Sequence, residues 1–160
     1  MISTYIVGDA QVISLLERIT PQVRSHVART VGSLGLALQR RVQDEKLSGQ
    51  ALKVRTGNLR ASINTEVADS GSRVAATVGT GVRYGRVHEY GFQGIVSVRA
   101  HLRHVTQVFG RPVAATQNVR AHSRQVNLPE RSFLRSALRE MQGTIQAALN
   151  KAVADGLQGR

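Results

Sequence analysis

Six apolar residues, Val23, Val27, Val31, Leu34, Leu38 and Val42, recur at steps of four, four, three, four and four. That spacing draws one stripe along a helix over residues 21–46, with Thr20 as its cap and Pro21 in its first turn. A helix with a single apolar face must bury it, so the chain has to supply a second layer. Leu134, Leu138, Met141, Ile145, Leu149 and Ala152 supply a further stripe, with Ser132 as candidate N-cap and Gly156 as the stop. Gly32 and Gly35 lie inside the first of these helices, each costing about 1 kcal/mol against Ala, so close packing against another backbone is the expected compensation.

Between the two stripes the period changes. Residues 61–67 and 73–78 alternate as strands about Asp69-Ser70-Gly71-Ser72, a hairpin turn by composition, and Gly79-Thr80-Gly81 ends the pair. Residues 47–60 form a connection, with Ser48-Gly49 and Thr56-Gly57-Asn58 as its turn chemistry. Residues 84–90 make a short helical turn or strand closed by Gly91. Residues 92–127, rich in β-branched and basic side chains, read as a long hairpin or extended arm with Gly110-Arg111-Pro112 near its middle. At the start, residues 1–7 form a short strand or arm, and Asp9 caps a short helix over residues 10–19. The expected fold is α+β: one domain over residues 1–160, an antiparallel sheet with a long hairpin or arm, packed against two long amphipathic helices. Residues 1–20 are its N-terminal arm and short helix, and no internal repeat or low-complexity tract is read in it.

Charge narrows the partners. The 160 residues carry 22 Lys+Arg against 10 Asp+Glu, a net charge of +12. Only Lys46, Lys53 and Lys151 are lysines, and arginine favours planar, multidentate contact with carboxylate or phosphate. Arg83, Arg86, Arg99, His101, Arg103, His104, Arg111, Arg120, His122 and Arg124 crowd the middle third, offset only by Glu89. On strands, Arg99, His101 and Arg103 share one face, as do Arg120, His122 and Arg124. Paired, the two strands make a basic ribbon which, with Arg83 and Arg86, is the candidate surface for a partner subunit or DNA. A solvated edge that resists aggregation is the alternative.

Other chemistry lacks its residues. Cysteine is absent, so disulfides, thiolate metal sites and Cys nucleophiles are excluded together. His101 and His104 are three apart on a strand and point to opposite faces, with no third ligand in view, so no metal is expected. Ser62, His88 and Glu89 assemble a triad only on paper, without a nucleophile elbow. Gly79-Thr80-Gly81 lacks the lysine of a phosphate loop, and Asp44-Glu45 is the only adjacent acidic pair. No enzyme and no cofactor is expected. Aromatics, at 4% with no Trp, are too few for a base-stacking platform. Neither a basic segment followed by an apolar stretch at the start nor an apolar run long enough for a bilayer occurs, so no signal peptide and no membrane span are expected.

Three segments in order, Val54-Arg55-Thr56-Gly57-Asn58-Leu59-Arg60-Ala61-Ser62-Ile63, Val78-Gly79-Thr80-Gly81-Val82-Arg83-Tyr84-Gly85-Arg86-Val87-His88-Glu89-Tyr90-Gly91 and Leu128-Pro129-Glu130-Arg131-Ser132-Phe133-Leu134, resemble the tail-component and neck-protein family of tailed bacteriophages. The likeness covers the chain from about Ser33 onward; Ser132 stands where the family often has proline, and the basic insertion after Gly91 is variable. The motif positions Thr56, Gly57, Leu59, Tyr84, His88, Glu89, Gly91, Phe133 and Leu134 read as structural. The resemblance implies a structural virion protein at the head–tail junction (neck) or in tail completion, assembling into or onto a ring, without catalysis. Its partners would be other phage neck and tail proteins, with DNA in the conduit as an open second contact and no membrane. Its place would be the virion, and the cytoplasm of the bacterial host during assembly. The competing reading is a small basic nucleic-acid-binding protein, against which stand the missing helix-turn-helix signature and aromatic platform.

Overall fold

A computed structural model describes residues 2–6, 21–71, 73–108 and 110–158. The expected helix over residues 10–19, with its cap Asp9, and the cap Thr20 lie outside the described residues. The first stripe forms helix α1 (Pro21–Asp44), and all six of its apolar residues are buried. A 3₁₀ turn (Lys46–Ser48) and a short helix α2 (Asn58–Ala61) occupy the connection that follows.

The face that α1 covers is a three-stranded antiparallel sheet of β1 (Ile2–Ile6), β2 (Ile63–Asp69) and β3 (Val74–Thr80), ordered β1-β3-β2. β2 and β3 form the expected hairpin, in register from Ile63↔Thr80 to Asp69↔Val74. Its turn is closed by the Gly71 N–H, which donates to the Asp69 carboxylate at 3.0 Å. Helix and sheet come closest at Gly35, where an added Cβ would stand 2.8 Å from Thr65 Cγ2 and 2.9 Å from Ala76 Cβ. The expected compensation is found there. The Thr65 hydroxyl lies 3.2 Å from the Gly35 carbonyl and 2.7 Å from Gln39 Oε1, while Gln39 Nε2 donates to the Ile63 carbonyl at 3.1 Å. Gly32 has ordinary room, 3.9 Å from Val67.

The second stripe forms α4 (Leu134–Leu157), which lies along α1. Leu34, Leu38, Val42, Ile63, Val78, Phe133, Leu134, Ala137, Met141 and Ile145 make one core, and Val23, Val27, Val31, Ala76 and Ala152 a second. Two expectations need correction. Leu138 and Leu149 are half-buried at the flank of the core, whereas the small Ala137 is fully buried in the seam. Gly156 does not stop the helix, which runs on to Leu157; an added Cβ there would stand 2.6 Å from Val23 Cα, so this glycine lets the last turn of α4 rest on the first turn of α1.

Residues 84–90 are helical, within α3 (Arg83–Tyr90), and Gly91 ends it at φ 73°. Beyond it the chain leaves the body as a hairpin in two stages. β4 (Phe92–Val98) pairs with β7 (His122–Leu128), β5 (His101–Val108) pairs with β6 (Arg111–Val119), and Gly110 turns the tip at φ 78°. One register runs from Phe92↔Leu128 through Val98↔His122 and His101↔Val119 to Val105↔Ala115. The ladder opens at a waist formed by Arg99, Ala100, Arg120 and Ala121, and slips at a bulge between Val105 and Gln107.

Candidate interaction surfaces: the motif junction and the basic arm

The three motif segments meet and lock together. Ser62 donates to the Leu59 carbonyl at 2.8 Å, so the 2.7 Å contact between Ser62 Oγ and Thr80 Oγ1 has Thr80 as donor. Thr80 Oγ1 in turn accepts the Val82 N–H at 3.1 Å. Gly57, at φ 77°, sets the turn that brings Leu59 onto the core beside Ile63. Gly91 is sterically confined: an added Cβ would stand 2.9 Å from the Leu128 carbonyl oxygen.

The strongest link is Glu89, which is fully buried. Its Oε2 accepts the N–H groups of Phe133 and Leu134 at 2.8 and 2.9 Å, and its Oε1 accepts the Arg135 N–H at 2.9 Å and the Ser132 hydroxyl at 2.8 Å. A carboxylate from α3 therefore saturates the free donors at the start of α4, where the helix dipole also favours negative charge. The N-cap position falls on Phe133 rather than on the expected Ser132, whose hydroxyl accepts the Ser136 N–H at 3.3 Å and donates a hydrogen bond to Glu89. Arg135 completes the assembly. Its guanidinium reaches Glu89 Oε1 at 3.2 Å, the Glu89 carbonyl at 2.9 Å and Glu130 Oε1 at 2.7 Å, and lies 4.4 Å above the Tyr90 ring. The His88 carbonyl accepts the Arg131 N–H at 2.8 Å. The paper triad is not assembled, since the Ser62 proton goes to a carbonyl and both Glu89 oxygens are held by α4.

Beside this junction a cleft of about 810 Å³ is lined by Leu52, Val54, Leu59, Tyr84, His88 and Arg131, with Lys53, Arg55, Thr56 and Arg60 around it. Tyr84 meets His88 edge-on, with ring centroids 6.2 Å apart.

The arm stands apart from this body. Its strands make their main contacts within their own ladders, and none of the residues described for burial between 92 and 128 is buried. The structure corrects the ribbon in one respect. His101 faces Val119 and Arg103 faces Gln117 in the outer ladder, whereas His122 faces Val98 and Arg124 faces Val96 in the inner one. The two basic triads thus follow each other along the arm, meeting only at the waist with Arg99 and Arg120. The register set by the tip at Gly110 is what offsets them. Arg83 and Arg86 lie exposed on α3, outside both ladders.

The expectation of no internal repeat is also overturned. Val-Arg-Ala-His-x-Arg-x-Val occurs at Val98–Val105 and again at Val119–Val126, and the hairpin brings the two copies across from each other at the waist. The copies behave alike. His101 Nδ1 lies 2.9 Å from the Arg99 carbonyl oxygen, and His122 Nδ1 lies 2.9 Å from that of Arg120. A carbonyl only accepts, so each Nδ1 carries a proton and serves a carbonyl at the opening of the ladder. The four bracketing valines are half-buried, as is Gly94 at the base of the arm, while the other arm residues described for burial are exposed.

Elsewhere the acids are spent. Asp69 pairs with Arg24, Glu45 with Arg41, Glu140 with Lys46 and Arg41, Asp44 with Arg60, Glu89 and Glu130 with Arg135, and Asp155 with Lys151; among the described carboxylates only Glu66 has no ion pair. The hydrogen bond from Lys46, at 2.6 Å, holds Glu140 below its ordinary value of 4.5, against the opposing effect of burial. The Gly71 N–H, followed by Arg24, holds Asp69 below 3.8. Among the described residues no group of three His, Asp or Glu side chains could hold a metal ion, and no helix is long and apolar enough to cross a membrane.

No curated protein and no solved structure matches the chain. A family model does, over residues 32–154, a span that holds all three motif segments, the Glu89 lock and the whole arm. The chain belongs to the phage virion morphogenesis family.

Proposed function

We propose that the chain is a structural subunit acting at the head–tail junction or in tail completion, assembled into or onto a ring, with the arm as the part that engages the adjoining component. The observation that carries this reading is the arm itself. A two-stranded hairpin is marginal in water on its own, and this one, with no residue described as buried, gains little from the body. Ile95 and Leu102 are 74% and 65% exposed on it. Such a ribbon is completed by what it touches, and cyclic assemblies give each copy an identical neighbour to touch. No catalytic role is assigned: among the described residues the one fully buried carboxylate, that of Glu89, is committed to the start of α4.

Sedimentation of the purified chain, alone and with the phage's neck and tail proteins, tests the proposal. Self-association or co-sedimentation is expected, and a strict monomer that binds no virion component would overturn it. The competing nucleic-acid-binding reading is favoured by the charge of the arm.

A further inference from the structure

We infer that the arm is a two-stranded ribbon for duplex DNA, gripping phosphates through Arg99, Arg103, Arg111, Arg120 and Arg124. The inference rests on the virion reading only for the place where the DNA is met.

Residues 92–128 contain those five arginines and no Asp, Glu or Lys. Among the described residues counter-charge is scarce on the chain's own body, since every described carboxylate other than Glu66 is already in an ion pair. A second copy offers the same described carboxylates, so contact between copies does not by itself neutralise the arginines, and a separate polyanion is favoured as their partner.

Three further features favour nucleic acid over an acidic protein. The exposed polar side chains between the arginines include His101, His104, Thr116, Gln117, Asn118 and Gln125, donors and acceptors that suit phosphates and base edges. Beyond Phe92 at the root, the only aromatic residue of the arm is Phe109, whereas the centre of a protein interface is rich in aromatics. The shape also fits, since a two-stranded ribbon enters a major groove about 12 Å wide. The waist concentrates the grip: the repeat places Arg99 and Arg120 on opposite strands where the ladder is open, and each following histidine holds its arginine's carbonyl.

The test is a binding titration of the full chain with a short fluorescein-labelled duplex at several salt concentrations. If all five arginines meet phosphates, affinity falls about 500-fold between 50 and 200 mM salt. Arg99→Gln with Arg120→Gln should reduce that fall to about 40-fold, while Arg29→Gln with Arg40→Gln, on the exposed side of α1, should leave it unchanged. Unaltered melting temperatures establish that both variants are folded. Absence of duplex binding, or an equal effect of the two pairs, overturns the inference. Complementation of a phage lacking the gene separates the two readings. Loss of particles with the Arg99/Arg120 variant, when the purified chain binds no DNA, would assign the arm to an acidic virion protein and leave the structural role standing.

Discussion

Glu89 Oε2 accepts the backbone N–H of Leu134 at 2.9 Å, joining the end of α3 to the first residue of α4 across the full length of the arm. Because the carboxylate is fully buried, removing it strands the N–H donors of Phe133, Leu134 and Arg135 and leaves Glu130 as the remaining ion-pair partner of Arg135. Glu89→Ala is expected to lower unfolding free energy by about 3–5 kcal/mol in urea titrations. Glu89→Gln should recover only part of this, since its NH₂ group would face N–H donors.

Two glycines of α4 should respond with opposite sign. Gly143 is exposed with open space around it, so Gly143→Ala should gain about 1 kcal/mol from helix propensity. Gly156→Ala should lose stability despite the same gain, because the new methyl meets the backbone of Val23. Melting temperatures of the two variants, measured side by side, decide it.

Leu38 is fully buried between both helices, and Leu38→Ala should cost about 2–5 kcal/mol. Leu38→Asp should not fold, by circular dichroism. Leu138→Asp should fold with reduced stability, because the half-buried position lets the carboxylate turn toward water.

Acid should weaken the fold through Glu140 and Asp69. Both are held below their ordinary values in the folded chain, so their contribution is complete above those values and is lost as pH falls through the lowered ones. Melting temperature should stay level from pH 7 to about 5 and then drop. Glu140→Gln with Asp69→Asn should melt lower at pH 7 and show a shallower drop.

Charge reversal on the arm separates folding from assembly. Arg99, Arg103, Arg120 and Arg124 are all exposed and lie outside the cores, so replacing all four with Glu should leave the melting temperature within a few degrees of the parent. Infectious particles should be lost in complementation. Full rescue would make the arm a solvated surface.

The stripes of α1 and α4 were legible in the sequence because a helix imposes its period on whatever it buries, and the β2–β3 hairpin because Asp69 and Gly71 carry their turn chemistry locally. Glu89 was legible only as a motif position. Its partners are at Phe133 and Leu134, and nothing nearby in sequence reveals that a carboxylate between His88 and Tyr90 will meet a helix start. Ala137 taking the seam from Leu138 reflects the angle at which two helices cross, which side-chain hydropathy does not encode. The basic residues were found, but their order along the arm depends on where the hairpin turns, and a shift in register regroups every face. The Val-Arg-Ala-His repeat was open to view in the sequence. Its copies are short and sit in opposed strands, so only the pairing of the hairpin relates them.

The stem of the arm is clamped where Gly91 abuts the Leu128 carbonyl and again where Glu89 seizes α4. Everything between is, thermodynamically, a loop whose ends are already closed. Doubling the length of such a loop costs only about 0.6 kcal/mol. The body is thus a socket: the inserted ribbon can be lengthened or shortened at small entropic cost while the helices and central sheet stay as they are.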